Sequence, residues 1–169
     1  MTALAEGSPA PDFNLPVSDF KNCRGESYSL AKAIEHGPAL VVFFKVDCPV
    51  CQMTLPYIER LFGYLKNNKA SKNEIYLLCQ DSHEQALDFK AEYQLSLPIL
   101  IDEDLLATES YGLTNVPSLF LINADYTIES TIVGFDREAL TQAAKRLAGE
   151  DFNLFSQEEA AVLPAFRPG

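Results

Sequence analysis

The amino-acid sequence predicts an α/β fold around a mixed sheet, and three observations carry that expectation. Strand-sized apolar runs alternate with helical patterns through the middle of the chain, which requires parallel strands joined by helical crossovers. Two strands with only "ADY" between them follow, then a helix, so the sheet turns antiparallel at that end. The first long run, Ala39 to Phe44, is apolar throughout rather than alternating, as in a strand covered on both faces.

The elements follow in order. "SPAPDFNLPVSDF" and "ESYSLAKAI" predict two short strands and a helical turn, with Cys23 in the connecting loop. Residues 39–46 form a core strand. A helix runs from about Pro49 to Asn68, where Cys51, Leu55, Ile58, Phe62 and Leu65 step by 4, 3, 4 and 3 along one face. "EIYLLC" (74–79) is a second core strand and "HEQALDFKAEYQL" (83–95) a second helix. "LPILID" (97–102) is a third strand, followed by a short helical piece over 104–110. Strands 117–123 and 127–134 come next. Asp136 can cap a last helix whose Leu140, Ala143, Ala144 and Leu147 share a face, and Gly149 ends it. The expected division is a domain over 1–149 and a C-terminal tail over 150–169, acidic and then proline-containing.

Composition narrows the function. The chain has 169 residues, 47% of them hydrophobic, enough for one domain with a sizeable core. A net charge of -11 repels phosphate backbones, so no nucleic-acid partner is expected. No apolar run approaches the roughly 18 residues of a membrane helix, so no membrane partner is expected either. "MTALAEGSPAPDF" shows neither a basic nor an apolar signal region. The expected location is cytoplasmic, or periplasmic if a signal has been removed. Four cysteines are too few for a disulfide scaffold, which leaves a close pair as catalytic or metal-binding.

That pair is Cys48-Pro49-Val50-Cys51, at the junction of the first core strand and the long helix. A cysteine capping that helix faces unpaired N–H groups and the positive end of the dipole. Such sites lower a thiol pKa from about 8.5 to about 3.5–7.5. Pro49 suits the first helical turn, where its missing N–H costs nothing. Cys51, one turn on, points inward and can attack a mixed disulfide on Cys48. Zinc usually requires a second pair, and Cys23 and Cys79 lie far apart in sequence, so no metal is expected. His36 and His83 read as surface residues and Cys79 as a packed core thiol, while Cys23 is ambiguous.

These motifs resemble the thioredoxin-like superfamily, and within it the redoxin branch of TlpA/ResA-type thiol-disulfide oxidoreductases. "GSPAPDF" resembles the opening of that branch and of the AhpC/TSA peroxiredoxins. "VVFFKVDCPVC" resembles the strand-to-helix redox motif, and Pro56 matches the proline that kinks the first long helix. "YGLTNVPSLFLIN" resembles the segment bearing the superfamily's cis-proline, here Pro117. The match runs over about residues 5–148. It implies a thioredoxin-like three-layer α/β/α fold with a central mixed sheet and a short N-terminal β extension. It also implies a cis Val116–Pro117 bond facing Cys48, which would keep metal off the thiols. The backbone of Val116 could then pair with an extended substrate. Implied partners are a disulfide- or thiol-bearing protein and an electron donor such as a reductase; no cofactor is implied.

The chain departs from the pattern in three places. The tryptophan before the first cysteine is Asp47, the buried acid of thioredoxins is Val42, and the glutamate of the ResA-like branch is Thr54. The proton acceptor for Cys51 is therefore open, with Asp47 or a water as candidates. Lys45 either adds positive potential to the site or points away. The Cys-Pro-x-Cys form resembles glutaredoxins and DsbA, which implies a more oxidising poise than thioredoxin's. One alternative is a peroxiredoxin-type peroxidase. Its P-x-x-x-T-x-x-C motif meets Val41 and Lys45 before Cys48, and Phe44 and Cys48 before Cys51. Another is a non-catalytic binding module on the same fold. For the tail, Phe152, Leu154 and Phe155 can dock on the domain, while "PAFRPG" reads as an extended, mobile exit without cap or packing pattern. An ordinary terminus is the default reading there. Some redoxins that the chain resembles continue into a short tail with cysteine or selenocysteine, and a UGA codon after Gly169 is the alternative expectation.

Overall fold

A computed structural model describes residues 2–18, 26–68 and 71–169. Strand β3 (Ala39–Phe44) is buried at all six positions, and its side chains divide by parity. Leu40, Val42 and Phe44 enter one core, with the apolar faces of α2 (Pro49–Asn67) and α5 (Arg137–Ala148). Ala39, Val41 and Phe43 enter a second, built with Leu30, Tyr111 and Phe120. A period-2 strand placed between two apolar layers gives the three-layer arrangement directly.

Beside β3 lies β4 (Glu74–Cys79), parallel, and beside β4 lies β5 (Ile99–Ile101), also parallel. On the other flank β6 (Ser118–Ile122) and β7 (Ile128–Val133) are antiparallel. The N-terminal β1 (Asn14–Ser18) and β2 (Ser27–Ser29) extend the β5 edge. The seven-stranded order is β2-β1-β5-β4-β3-β6-β7, parallel in the middle and antiparallel at both flanks. Strands β3, β4 and β5 are linked through α2 and α3 (His83–Glu92), with α1 (Leu30–Ala33) before them and α4 (Leu106–Ser110) after. Cys23 lies outside the described residues. Among those described, no helix is long and apolar enough to cross a membrane.

Several boundaries are tighter than the apolar pattern suggests. The first core strand stops at Phe44 rather than residue 46, because the Val46 N–H leaves the ladder for the Asp81 carboxylate, 2.8 Å away. Helix α3 stops at Glu92, and Gln94 takes a positive φ of 53° that a helix cannot hold. Asp136 accepts from the Ala139 N–H and caps α5, and Gly149 follows its last turn.

The C-terminal segment differs most from expectation. Instead of a free exit, it folds back across the domain. Phe152 packs on Tyr64 and Phe155 on Tyr57 and Phe135, with ring centroids 4.5, 4.7 and 5.9 Å apart. Leu154 is 1% exposed. Ser156 and Glu159 form a capping box that starts α6 (Gln157–Val162). Arg60 holds Glu159 through two bonds of 2.7 and 2.8 Å and also donates to the Leu154 carbonyl. Then β9 (Phe166–Arg167) pairs antiparallel with β8 (Phe135–Asp136), the two residues before α5. The apolar residues of 152–155 anchor the segment, and the short strand carries its end back towards β6.

Candidate active site

The site forms where β3 ends and α2 begins. Cys48 is the N-cap of α2, with extended backbone (φ -85°, ψ 114°) and Pro49 at the first helical position. Its sulfur accepts the Cys51 N–H at 3.2 Å. That is one of the donors a helix start leaves without an intrahelical partner. Helix α2 continues through Pro56, which the fold tolerates inside a 19-residue helix.

Opposite the helix start stands the loop before β6. The Val116–Pro117 peptide is cis. The Cys48 thiol donates to the Val116 carbonyl, with Sγ and oxygen 3.4 Å apart. So Cys48 is held between an N–H from its own helix and a C=O from the facing loop. The S–H of the neutral thiol suits the carbonyl, while the negative sulfur of a thiolate suits the N–H. Ionisation therefore releases Cys48 from Val116 and leaves the helix start as its support.

Cys51 lies behind Cys48, 0% exposed and walled by the α2–α5 core. Burial pushes its thiol far above the ordinary value, and the Cys48 side chain and the charge of Asp47 push the same way. The Lys45 backbone N–H opposes them. A third thiol, Cys79 at the end of β4, is also buried, and desolvation carries it up to about 12. The Lys45 charge acts on Cys79 and lowers it. Both Thr54 and Val42 are fully buried and neither offers a carboxylate. The Thr54 hydroxyl is used up on the Val50 carbonyl at 2.7 Å. Asp102 is a buried acid, but it serves as a cap, accepting from the Ala107 and Thr108 N–H groups and the Thr108 hydroxyl.

Three residues of the site escaped the sequence reading. Asp81 and Gln52 grip the Val46 peptide from both sides: Asp81 accepts its N–H, and Gln52 donates to its carbonyl at 2.8 Å. This fixes the turn that aims Cys48. Asp81 lies just past the C-terminal end of a parallel strand beside the strand that leads to Cys48, where α/β sheets place functional groups, so its position was a usable signal. Asn115 lies two residues before Pro117 and donates its side-chain amide to the Gly169 carbonyl at 3.0 Å. Nothing in the sequence foretold that contact.

Between the turn before Cys48 and α3 lies an open groove of about 300 Å³, lined by Val46, Asp47, Gln85, Asp88, Phe89 and Glu92. The predicted residues Cys48, Cys51, Val116 and Pro117 come together at one end of the sheet. Pro49 is exposed at the helix start and Val50 turns into the core. Among the described residues no cluster of three or more His, Cys, Asp and Glu is arranged to hold a metal ion.

Comparison with known proteins bears on the fold and the family. ResA, a thiol-disulfide oxidoreductase of Halalkalibacterium halodurans, is 29% identical over 106 residues. The match covers 61% of this chain and 57% of that protein, so the chain spans little more than half of that relative. The thioredoxin domain of a thiol-disulfide oxidoreductase from Bacteroides vulgatus superposes with a TM-score of 0.70 at 21% identity, covering 86% of this chain and 99% of the other. A peroxidoxin, BcpB of Mycobacterium tuberculosis, superposes with a TM-score of 0.70 at 16% identity, covering 88% and 99%. These two structures share the thioredoxin-like fold. The model of the AhpC/TSA family matches residues 7–131, which is most of the chain. The chain belongs to the AhpC/TSA family.

Proposed function

We propose that the protein is a thiol-disulfide oxidoreductase acting on protein disulfides through Cys48 and Cys51. The observation that carries this reading is the asymmetry of the pair. One sulfur sits at the helix start facing the Val116 carbonyl, and the other is buried one turn behind it.

The steps follow from that asymmetry. The Cys48 thiolate attacks one sulfur of a substrate disulfide. A Cys48–substrate disulfide forms, and the other substrate sulfur leaves as a thiolate that takes up a proton. Cys51 then gives up its proton and attacks the Cys48 sulfur. The Cys48–Cys51 disulfide forms and the second substrate thiol departs. Two electrons have passed from the pair to the substrate, and an external dithiol or reductase returns them. The reverse sequence oxidises a substrate dithiol. Asp47 is a carboxylate whose charge reaches Cys51 and raises it, so Cys51 gives up its proton against that charge. The Val116 main chain is the edge on which an extended substrate aligns its disulfide with Cys48.

The peroxidase reading has less support. A peroxide needs hydroxyl and N–H donors around the attacking sulfur. Val41 is packed in the second core, Phe44 in the first, and Lys45 carries no hydroxyl. Insulin reduction measured beside hydrogen peroxide consumption, both with dithiothreitol as donor, tests the proposal. Turnover of insulin that is lost in Cys48→Ser supports it. Peroxide turnover without insulin reduction overturns it.

A further inference from the structure

The folded-back tail ends at the site. Residues 163–169 cross the domain as a strap, with Phe166 56% exposed and the residues around it open to solvent. Beyond Leu163, which packs on the core, bonds to its main chain hold it rather than apolar burial. The Arg137 N–H donates to the Ala165 carbonyl at 2.9 Å, and the Arg137 guanidinium to the Leu163 carbonyl at 3.0 Å. Two residue pairs join β9 to β8, and Asn115 holds the Gly169 carbonyl. Surface hydrogen bonds with little buried area open readily.

The strap rests on the main chain of the cis-proline loop. A Cβ placed on Gly169 would lie 2.8 Å from the Val116 carbonyl carbon and 3.3 Å from the Pro117 nitrogen. Gly134 makes room on the other side. Its φ of 80° suits only glycine, and a Cβ there would lie 2.5 Å from the Arg167 carbonyl oxygen and 2.9 Å from the Gly169 nitrogen. The Val116 carbonyl contacted by Gly169 is the same one that accepts the Cys48 thiol.

We propose that residues 166–169 are a resident occupant of the substrate's main-chain site, which an extended polypeptide must displace to bring its disulfide to Cys48. This rests on the thiol-disulfide exchange reading above. It adds a competitor within the chain and assigns Asn115 as the donor that reads a main-chain oxygen at this site. Substrate affinity is then reduced by the fraction of time the strap is seated, and a strap seated nine-tenths of the time weakens it about tenfold.

Gly169→Val tests the inference, because its side chain meets backbone of Val116 and Pro117 and expels the end of the strap without altering the domain. The expected result is a KM for insulin reduced about threefold or more, with kcat, the rate with a small aromatic disulfide, and the melting temperature unchanged. Arg167→Pro, which removes the N–H that β9 turns towards Phe135 of β8, gives the same direction. Binding of a labelled insulin B chain to the Cys48→Ser, Cys51→Ser double variant, with and without Gly169→Val, reads the competition without turnover. Tighter binding with Gly169→Val supports the strap as competitor. Equal or weaker binding, or a raised KM at unchanged melting temperature, overturns it. Absence of insulin reduction by the wild-type protein would instead reject the exchange reading, and the binding comparison would still decide the strap.

Discussion

At Cys48 and Cys51 the same element puts two thiols in opposite environments. Cys48 meets the open end of α2 and a carbonyl across the cleft, while Cys51 is buried against the core behind it. Cys51 thus stays protonated at neutral pH because burial disfavours its charged form. Two outcomes follow. Iodoacetamide should label Cys48 ahead of Cys51 in the reduced protein, as peptide mapping would read. Resolution of a preformed mixed disulfide on Cys48 should speed up with pH, about tenfold per unit from pH 6 to 9, because the thiolate fraction of Cys51 grows by that factor below its pKa. Rapid-mixing measurements at a series of pH values check the slope, and a flat profile would contradict a buried, protonated resolver. Asp47→Asn removes a negative charge that raises Cys51, so the profile should move to lower pH, with resolution at pH 7 a few-fold (~2–5) faster. A slower rate in that variant would instead mark Asp47 as the proton acceptor. The thiol pair and Pro117 were legible in the sequence because their spacing is local or tied to a motif. Asp81, Gln52 and Asn115 were not, because each acts through a loop peptide whose position only the assembled sheet defines.

Among the elements, the long amphipathic helices and uniform core strands were the most legible, since a continuous periodic face permits one placement. Ends were less so. Whether a strand stops at Phe44 or at residue 46 depends on Asp81, thirty-five residues away, taking the Val46 N–H. The fold of residues 150–169 was only half visible. Phe152, Leu154 and Phe155 were readable as docking residues, and "SQEE" carried an unused capping-box signal at Ser156 and Glu159. Pairing of β9 with β8 could not be read, because two-residue strands carry no periodicity. Ser156→Ala should cost about 1 kcal/mol at this cap. Amide exchange over Gln157–Val162 should then accelerate while exchange in β3 and β4 stays unchanged. Glu159 is held down at about 2, first by the Arg60 guanidinium and then by the Ser156 N–H. A depressed carboxylate contributes fully above its ordinary value of 4.5, and that contribution is lost as pH falls through about 2. The protection of α6 should therefore weaken over that acid window, and in Arg60→Ala it should be weak already at neutral pH.

For the whole molecule, the alternation of strands and helices set the layers, and the chain order of antiparallel strands set the flanks. The sheet order was less accessible, since nothing local tells β1 to join the β5 edge. The layered core also makes the protein sensitive to alkali. Burial raises Cys51, Cys79, Tyr76 and Tyr111 above their ordinary values of 9.0 for the thiols and 10.0 for the phenols. Their contribution is complete below those values. It is lost as pH rises above them, because the unfolded chain releases these protons first. Melting temperature should hold from pH 7 to about 8.5 and fall steadily above pH 9, each group contributing up to about 1.4 kcal/mol per pH unit. In the proposed exchange Cys48 attacks and Cys51 resolves, and trapping separates the two roles. Cys51→Ser, incubated with a disulfide-bonded peptide and analysed by intact-protein mass spectrometry and peptide mapping, should accumulate one peptide adduct, on Cys48. An adduct on Cys79 or Cys23, or no adduct under conditions where the wild-type protein turns over, would contradict it.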